Sequence, residues 1–319
     1  MTSYSFTERA PFEAGFEQIF QRDIVPILKD HERRRKDLAK QATIGMGGAG
    51  VVGAGTTGGS ALGGADFGIG LGLFVGVGGV LGLRGFFSQK YTSALAEQVL
   101  PILCEFFGDV TYGQQKINPG AFSQLGVVGS YHNASLEDPC SGTYRDISYA
   151  LTEARLTRKS RDSKGRTKTT TVFRGLLIEI GLFNPAPHIY FAKDRGSIGN
   201  WFSETLGSAR DGLTKFNVPH EEYEKIYETY AADVGAAQAF VTPQIVNGLL
   251  EIGQIHSSNP RYVSAAMKGT SFYVAIPLKR GFLQVGSLFK PLTDVEDDLH
   301  EALADLTLPK RVIDAFLGD

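Results

Sequence analysis

His132, Asp138 and Cys140 fall within nine residues of one another. An imidazole, a carboxylate and a thiol are the groups from which a nucleophile, its base and an orienting acid are built. That chemistry requires the three to meet in space, which nearness along the chain does not supply, and a lone thiol in such a stretch is usually inert. His188, His220, His256 and His300 occur singly, without the i, i+4 pairing of helical metal ligands, and read as ordinary core or surface side chains. Asp294, Glu296, Asp297 and Asp298 gather carboxylates without the spacing of a calcium loop. Acids in the first turn of a helix offset its dipole, and that is the role expected of them. Gly48-Ala-Gly50-Val-Val-Gly53 fits a dinucleotide fingerprint, but the charged residues before it do not form the strand such a site needs. No catalytic residue, cofactor or metal is therefore expected.

One charged feature is denser. Arg155, Arg158, Lys159, Arg161, Lys164, Arg166 and Lys168 place seven cations in 14 residues, offset only by Asp162. The plain reading is a solvated turn. The functional reading is an anionic surface, with lipid headgroups ahead of nucleic acid because no aromatic stacking platform is interleaved.

These residues sit in a chain of 319, with 42% hydrophobic residues and a net charge of −2. It is long enough to bury a sizeable core without disulfides, and it is not basic overall, so polyanion binding must be local. Its two cysteines, Cys104 and Cys140, cannot form a disulfide framework and are expected as free thiols.

Glycine is the unusual component: 18 of 39 lie between Thr43 and Phe87, where Asp66 is the sole charge before Arg84. Phe67 to Phe87 reaches roughly the 20 apolar residues needed to cross hydrocarbon. Ile44 to Gly64 is poorer in large side chains and needs a neighbour. Glycines four apart, at Gly55, Gly59 and Gly63 and again at Gly68, Gly72 and Gly76, let two helices approach closely. A hairpin turning near Asp66 is expected. Arg33, Arg34, Arg35, Lys36 and Lys40 before it, and Arg84 and Lys90 after it, keep both ends cytoplasmic.

Around this segment the periodicity changes. Phe12, Phe16, Phe20, Ile24 and Leu28 form a helical stripe, which Pro26 should kink or break. Leu95, Val99, Ile102 and Phe106 mark a second helix closing at Gly108. Strand patterning follows: Thr143 to Thr157 and Thr169 to Gly181 make a long hairpin across Arg161 to Arg166, with arms able to extend about 40 Å. His188 to Lys193 and Tyr223 to Tyr230 are short strands. Tyr262 to Lys268 and Ser271 to Leu278 form a second hairpin across Gly269. Thr242-Pro243 opens a helix, and Thr293 with Glu296 is a capping box for the last one. The fold class is α+β: an N-terminal helix (1–42), a glycine-rich transmembrane hairpin (43–87), and a mainly antiparallel-sheet domain with flanking helices (88–319).

In this order the parts resemble the bacterial family of unknown function DUF3137. The resemblance rests on His31-Glu-Arg-Arg-Arg-Lys36 before the glycine-rich segment, Asp146 to Ala154, Val172 to Leu177, Tyr227 to Asp233, and Thr242-Pro243, and spans roughly residues 12 to 305. It implies a bacterial membrane-associated protein with a cytoplasmic α+β domain and carries no catalytic residues. It also points to a LemA-type membrane protein as a partner, since such genes often lie alongside.

The function expected is that of a scaffold anchored in the bacterial inner membrane, both termini cytoplasmic. Its partners are membrane lipids and not nucleic acid, and self-association is compatible with the sequence. Two alternatives stay open: a membrane-tethered enzyme with its site in the cytoplasmic domain, and a soluble protein that packs its glycine segment internally.

Overall fold

The computed structural model of the protein describes residues 4–37, 88, 91–161, 165–193, 212–256, 263–278 and 281–317. The glycine segment, with Gly55, Gly59, Gly63, Gly68, Gly72 and Gly76, lies outside them. Among the described residues no helix is long and apolar enough to cross a membrane. The chain forms two compact units, the first drawn from residues 1–106 and 283–303, the second from 107–282 and 304–319.

In the first unit, helix α1 (16–37) buries the predicted stripe: Phe16, Phe20, Ile24 and Leu28 are at most 1% exposed, while Phe12, ahead of the helix, is exposed. Pro26 does not end the helix. The turn Phe20–Ile24 widens to π geometry, with the Val25 N–H donating to the Phe20 carbonyl. The extra residue in that turn absorbs the proline's missing N–H and ring within the helix. Phe6 packs on Phe16 and on the His300 ring, with centroids 4.9 and 4.4 Å apart. The basic end of α1 is partly neutralised, since Arg35 forms a forked pair with Glu32 and donates to the Leu288 carbonyl. Helix α2 (91–107) ends at Gly108, whose φ of 74° suits a residue without Cβ.

The second unit is a seven-stranded antiparallel sheet of β1 (Val110–Tyr112), β2 (Asn133–Tyr144), β3 (Ile147–Arg161), β4 (Thr167–Lys193), β5 (Thr214–Phe216), β6 (Tyr227–Ala231) and β7 (Ser264–Pro277). The order is β1-β2-β3-β4-β6-β5, and β7 pairs with β4 as well. One sheet face packs on helix α3 (Pro119–Gln124) and its following turn, through Phe122, Val127, Leu156, Leu177, Tyr190 and Ala266. On the other, Phe272 meets Phe316 at 4.6 Å. Phe316 belongs to helix α5 (Glu296–Leu317), which follows α4 (Pro243–His256) in the chain. Thr242 caps α4 as expected, its Oγ1 accepting from Ile245.

Several expected boundaries move. The stretch Thr143 to Thr157 is two strands joined by a tight turn at Arg145 and Asp146, both at positive φ. His188 to Lys193 is the end of the long β4, which carries Pro185 and Pro187 where its register against β7 shifts. Tyr223 belongs to a helical turn, Glu221–Glu224, capped by the His220 side chain, ahead of β6. The second hairpin does not form. β7 is one strand along β4, and Gly269, at φ 59°, pivots a register shift instead of reversing the chain. The capping box at Thr293 is also absent. A 3-10 turn, Leu292–Asp294, precedes α5, and the Thr293 hydroxyl donates to Asp294.

Candidate functional site

The β3–β4 hairpin carries the cations. β2 accompanies β3 as far as Thr157, and β7 accompanies β4 only from Gly175. The ribbon is therefore two-stranded over four residue pairs, Arg158↔Thr170 to Arg161↔Thr167. That is roughly 13 Å of rise, not the 40 Å of a wholly free arm. Lys159, Arg161, Arg166 and Lys168 are exposed, Arg158 is half-buried, and Lys164 lies outside the described residues. Alternation puts Lys159 and Arg161 on one face of the ribbon, Arg158 and Lys168 on the other.

Each of Arg158, Lys159, Arg161 and Lys168 sits opposite a Thr or Ser, so no like charges face each other across the strands there. Arg155 is opposite Arg174, but Glu153 lies 3.8 Å from Arg174. Burial pushes the Glu153 carboxyl up, while the Phe282 N–H that it accepts at 2.7 Å and Arg174 pull it back. Among the described residues, Arg155, Lys159, Arg161 and Lys168 have no carboxylate in ion-pair reach.

The fold does not assemble His132, Asp138 and Cys140 into a nucleophilic site. His132 Nδ1 accepts from the Lys159 N–H at 2.9 Å. Cys140 is 1% exposed, and its thiol points to the Asp138 carbonyl. Asp138 stands at φ 48° in the bulge between Glu137 and Cys140, accepting from the Tyr112 hydroxyl at 2.7 Å. Burial pushes its carboxyl up to about 6, against the Tyr112 bond, with Glu137 and Glu153 adding to the rise.

The folded state thus holds a proton that the unfolded chain releases near pH 4. The stability this contributes is complete below that pH and is lost as pH rises through about 6. Asp138→Asn keeps an acceptor for Tyr112 and suits the left-handed backbone. Urea unfolding should find the variant more stable than the parent at pH 7.5, by roughly 1–3 kcal/mol, with the gap closing at pH 4. A gap that does not change with pH would contradict the assignment.

The remaining candidates are structural. His220 caps a turn, and His188 is pushed down by burial and by Lys268. His300 donates from Nδ1 to Glu13 at 2.6 Å, and the His256 side chain is outside the described set. Of the acids, Glu296 accepts from the Thr7 N–H, Asp297 pairs with Arg9, and Asp298 accepts from the Gly286 N–H. No group of three metal-ligating side chains occurs among the described residues.

Sequence reading missed a cleft of about 700 Å³ on the sheet of the second unit. Register brings its floor together from several strands: Ser141 lies opposite Ala150, which lies opposite Glu179, and Ser271 lies opposite Gly181. The Ser271 hydroxyl donates to Glu179 at 2.8 Å, and Lys116 reaches the rim from the loop before α3. Nothing in the linear spacing of these residues announces the cleft.

The second unit is thus an antiparallel α+β module that carries a cationic hairpin and a cleft lined in part by hydroxyls. Residues 171–317 match the model of the family described as protein of unknown function (DUF3137). The matched stretch holds the motifs at Val172 to Leu177, Tyr227 to Asp233 and Thr242-Pro243; those at His31 to Lys36 and Asp146 to Ala154 precede it. No curated protein and no solved structure matches the chain.

Proposed function

We propose that the protein is a membrane-anchored interaction module of the bacterial cytoplasmic membrane, both termini cytoplasmic. Residues 43–87 form its glycine-packed anchor, and the β3–β4 tip rests on the anionic leaflet. The observation that carries this is the tip itself: exposed cations on both ribbon faces, four of them without a described carboxylate partner, at the end of the sheet least tied down by neighbouring strands. Each cation near an anionic leaflet contributes on the order of 1 kcal/mol, so several together orient a domain. A LemA-type membrane protein is the first partner to test for the rest of the module, and a second copy of the chain is the next.

The experiment changes Lys159, Arg161, Lys164 and Arg166 to Gln in the full chain. Protease protection of the tip is then compared in bilayers with and without phosphatidylglycerol. The parent tip should be protected only in anionic bilayers and the variant in neither; equal protection of both proteins in anionic bilayers would overturn the assignment.

A further inference from the structure

Ser141 is 1% exposed, and its Oγ has no hydrogen-bond partner, yet it lines the cleft on the sheet of the second unit. A buried hydroxyl left unpaired costs free energy, which is recovered when the Ser141 side chain rotates to a group bound in the cleft. We propose that this cleft binds a small neutral polyhydroxylated ligand of the mono- or disaccharide class.

The chemistry of the lining selects that class. Seven of the 14 lining residues carry a hydroxyl, a group able to donate or accept, so the lining favours a ligand whose own groups do both. Two opposite charges flank it, Glu179, already accepting from Ser271, and the Lys116 ammonium. A simple anion meets Glu179 and a simple cation meets Lys116, whereas a sugar donates to the carboxylate and accepts from the ammonium. Asp109 is held by Lys310 at 2.8 Å and does not tip this balance. The volume, about 700 Å³, lies in the range of small-molecule sites, and the polar lining excludes an apolar ligand. Space comes from small residues: a Cβ at Gly181 would stand 2.9 Å from the Ser148 Oγ.

The test uses the full chain in a sugar-free amphiphile, with glucose, N-acetylglucosamine and trehalose as probes in saturation-transfer NMR. Glycine and inorganic phosphate serve as the zwitterion and the anion for comparison. At least one sugar should give a signal that neither comparator displaces. Lys116→Met should weaken its binding about tenfold, the equivalent of one hydrogen bond to a charged group, and Ser141→Val about fivefold, that of a neutral one. Lys116 is exposed on a loop, so its variant decides the matter even if Ser141→Val fails to fold. No signal from any of the three sugars, affinity unchanged in the Lys116 variant, or displacement by phosphate or glycine would overturn the proposal.

Discussion

Replacing Gly175 with alanine is expected to destabilise the second unit by about 3–5 kcal/mol, placing it among the most damaging single substitutions. A Cβ built there would stand 2.1 Å from the Ile276 carbonyl oxygen and 2.7 Å from Pro277 Cα. Both are backbone atoms of the neighbouring strand, which no rotamer change relieves. Gly175 pairs with Ala154 on one side and Pro277 on the other, so the added methyl pushes β7 off β4 where the sheet gives way to the two-stranded ribbon. For a domain of this size the loss lowers Tm by on the order of 10 °C. Gly165→Asn is the contrasting change: its φ is 76°, nothing lies within 4 Å of a Cβ there, and asparagine tolerates that backbone, so Tm should hold. Calorimetry of the two variants checks both outcomes; a Gly175→Ala protein melting with the parent would contradict the close approach.

The second large effect belongs to Glu13. Its side chain is 2% exposed and accepts from the Arg9 N–H, from the Ala10 N–H at 3.1 Å and from His300 Nδ1 at 2.6 Å. Burial alone would push this carboxyl up, but the backbone donors and His300 outweigh it and hold it below the ordinary value. Glu13→Ala leaves three part-buried donors without their acceptor, so a loss of about 2–3 kcal/mol is expected. The sign of the pH dependence follows. Because the folded pKa is depressed, this contribution is complete above the unfolded carboxylate's pKa and fades as pH falls through the folded value. Denaturant unfolding at pH 7 and at pH 3 should show a wide gap between parent and variant at the higher pH and a narrow one at the lower. Equal gaps would assign the loss to packing alone.

What the sequence made legible follows from where local chemistry and tertiary structure agree. The β3–β4 hairpin was readable because alternating β-branched residues run into a polar turn, and α4 because Thr242 and Pro243 are sufficient local start signals. The turn at Arg145–Asp146 was hidden because it contains no glycine and interrupts a run of good strand formers. Gly269 misled for the opposite reason, since a glycine between two strand-like runs signals reversal unless a long partner such as β4 keeps the chain extended. Pro26 is a local signal for a kink or a break, and a single π-turn keeps the helix continuous through it. The cationic tip is visible because its charges cluster within 14 residues, whereas the cleft is invisible because residues far apart in sequence meet only through strand register.

The central claim, that the tip rests on an anionic leaflet, is tested most directly by a probe placed on it. Cys104 and Cys140 are buried, at 2% and 1% exposure, so a thiol introduced at the exposed Ser160 can be labelled selectively. The full chain carrying a fluorophore there is reconstituted in nanodiscs with headgroup quenchers, with and without phosphatidylglycerol. Quenching should appear only with the anionic lipid and decline as salt shortens the Debye length from roughly 30 Å at 0.01 M to about 8 Å at 0.15 M. Quenching that ignores lipid charge and salt, or none in either bilayer, would show that the tip is a solvated turn.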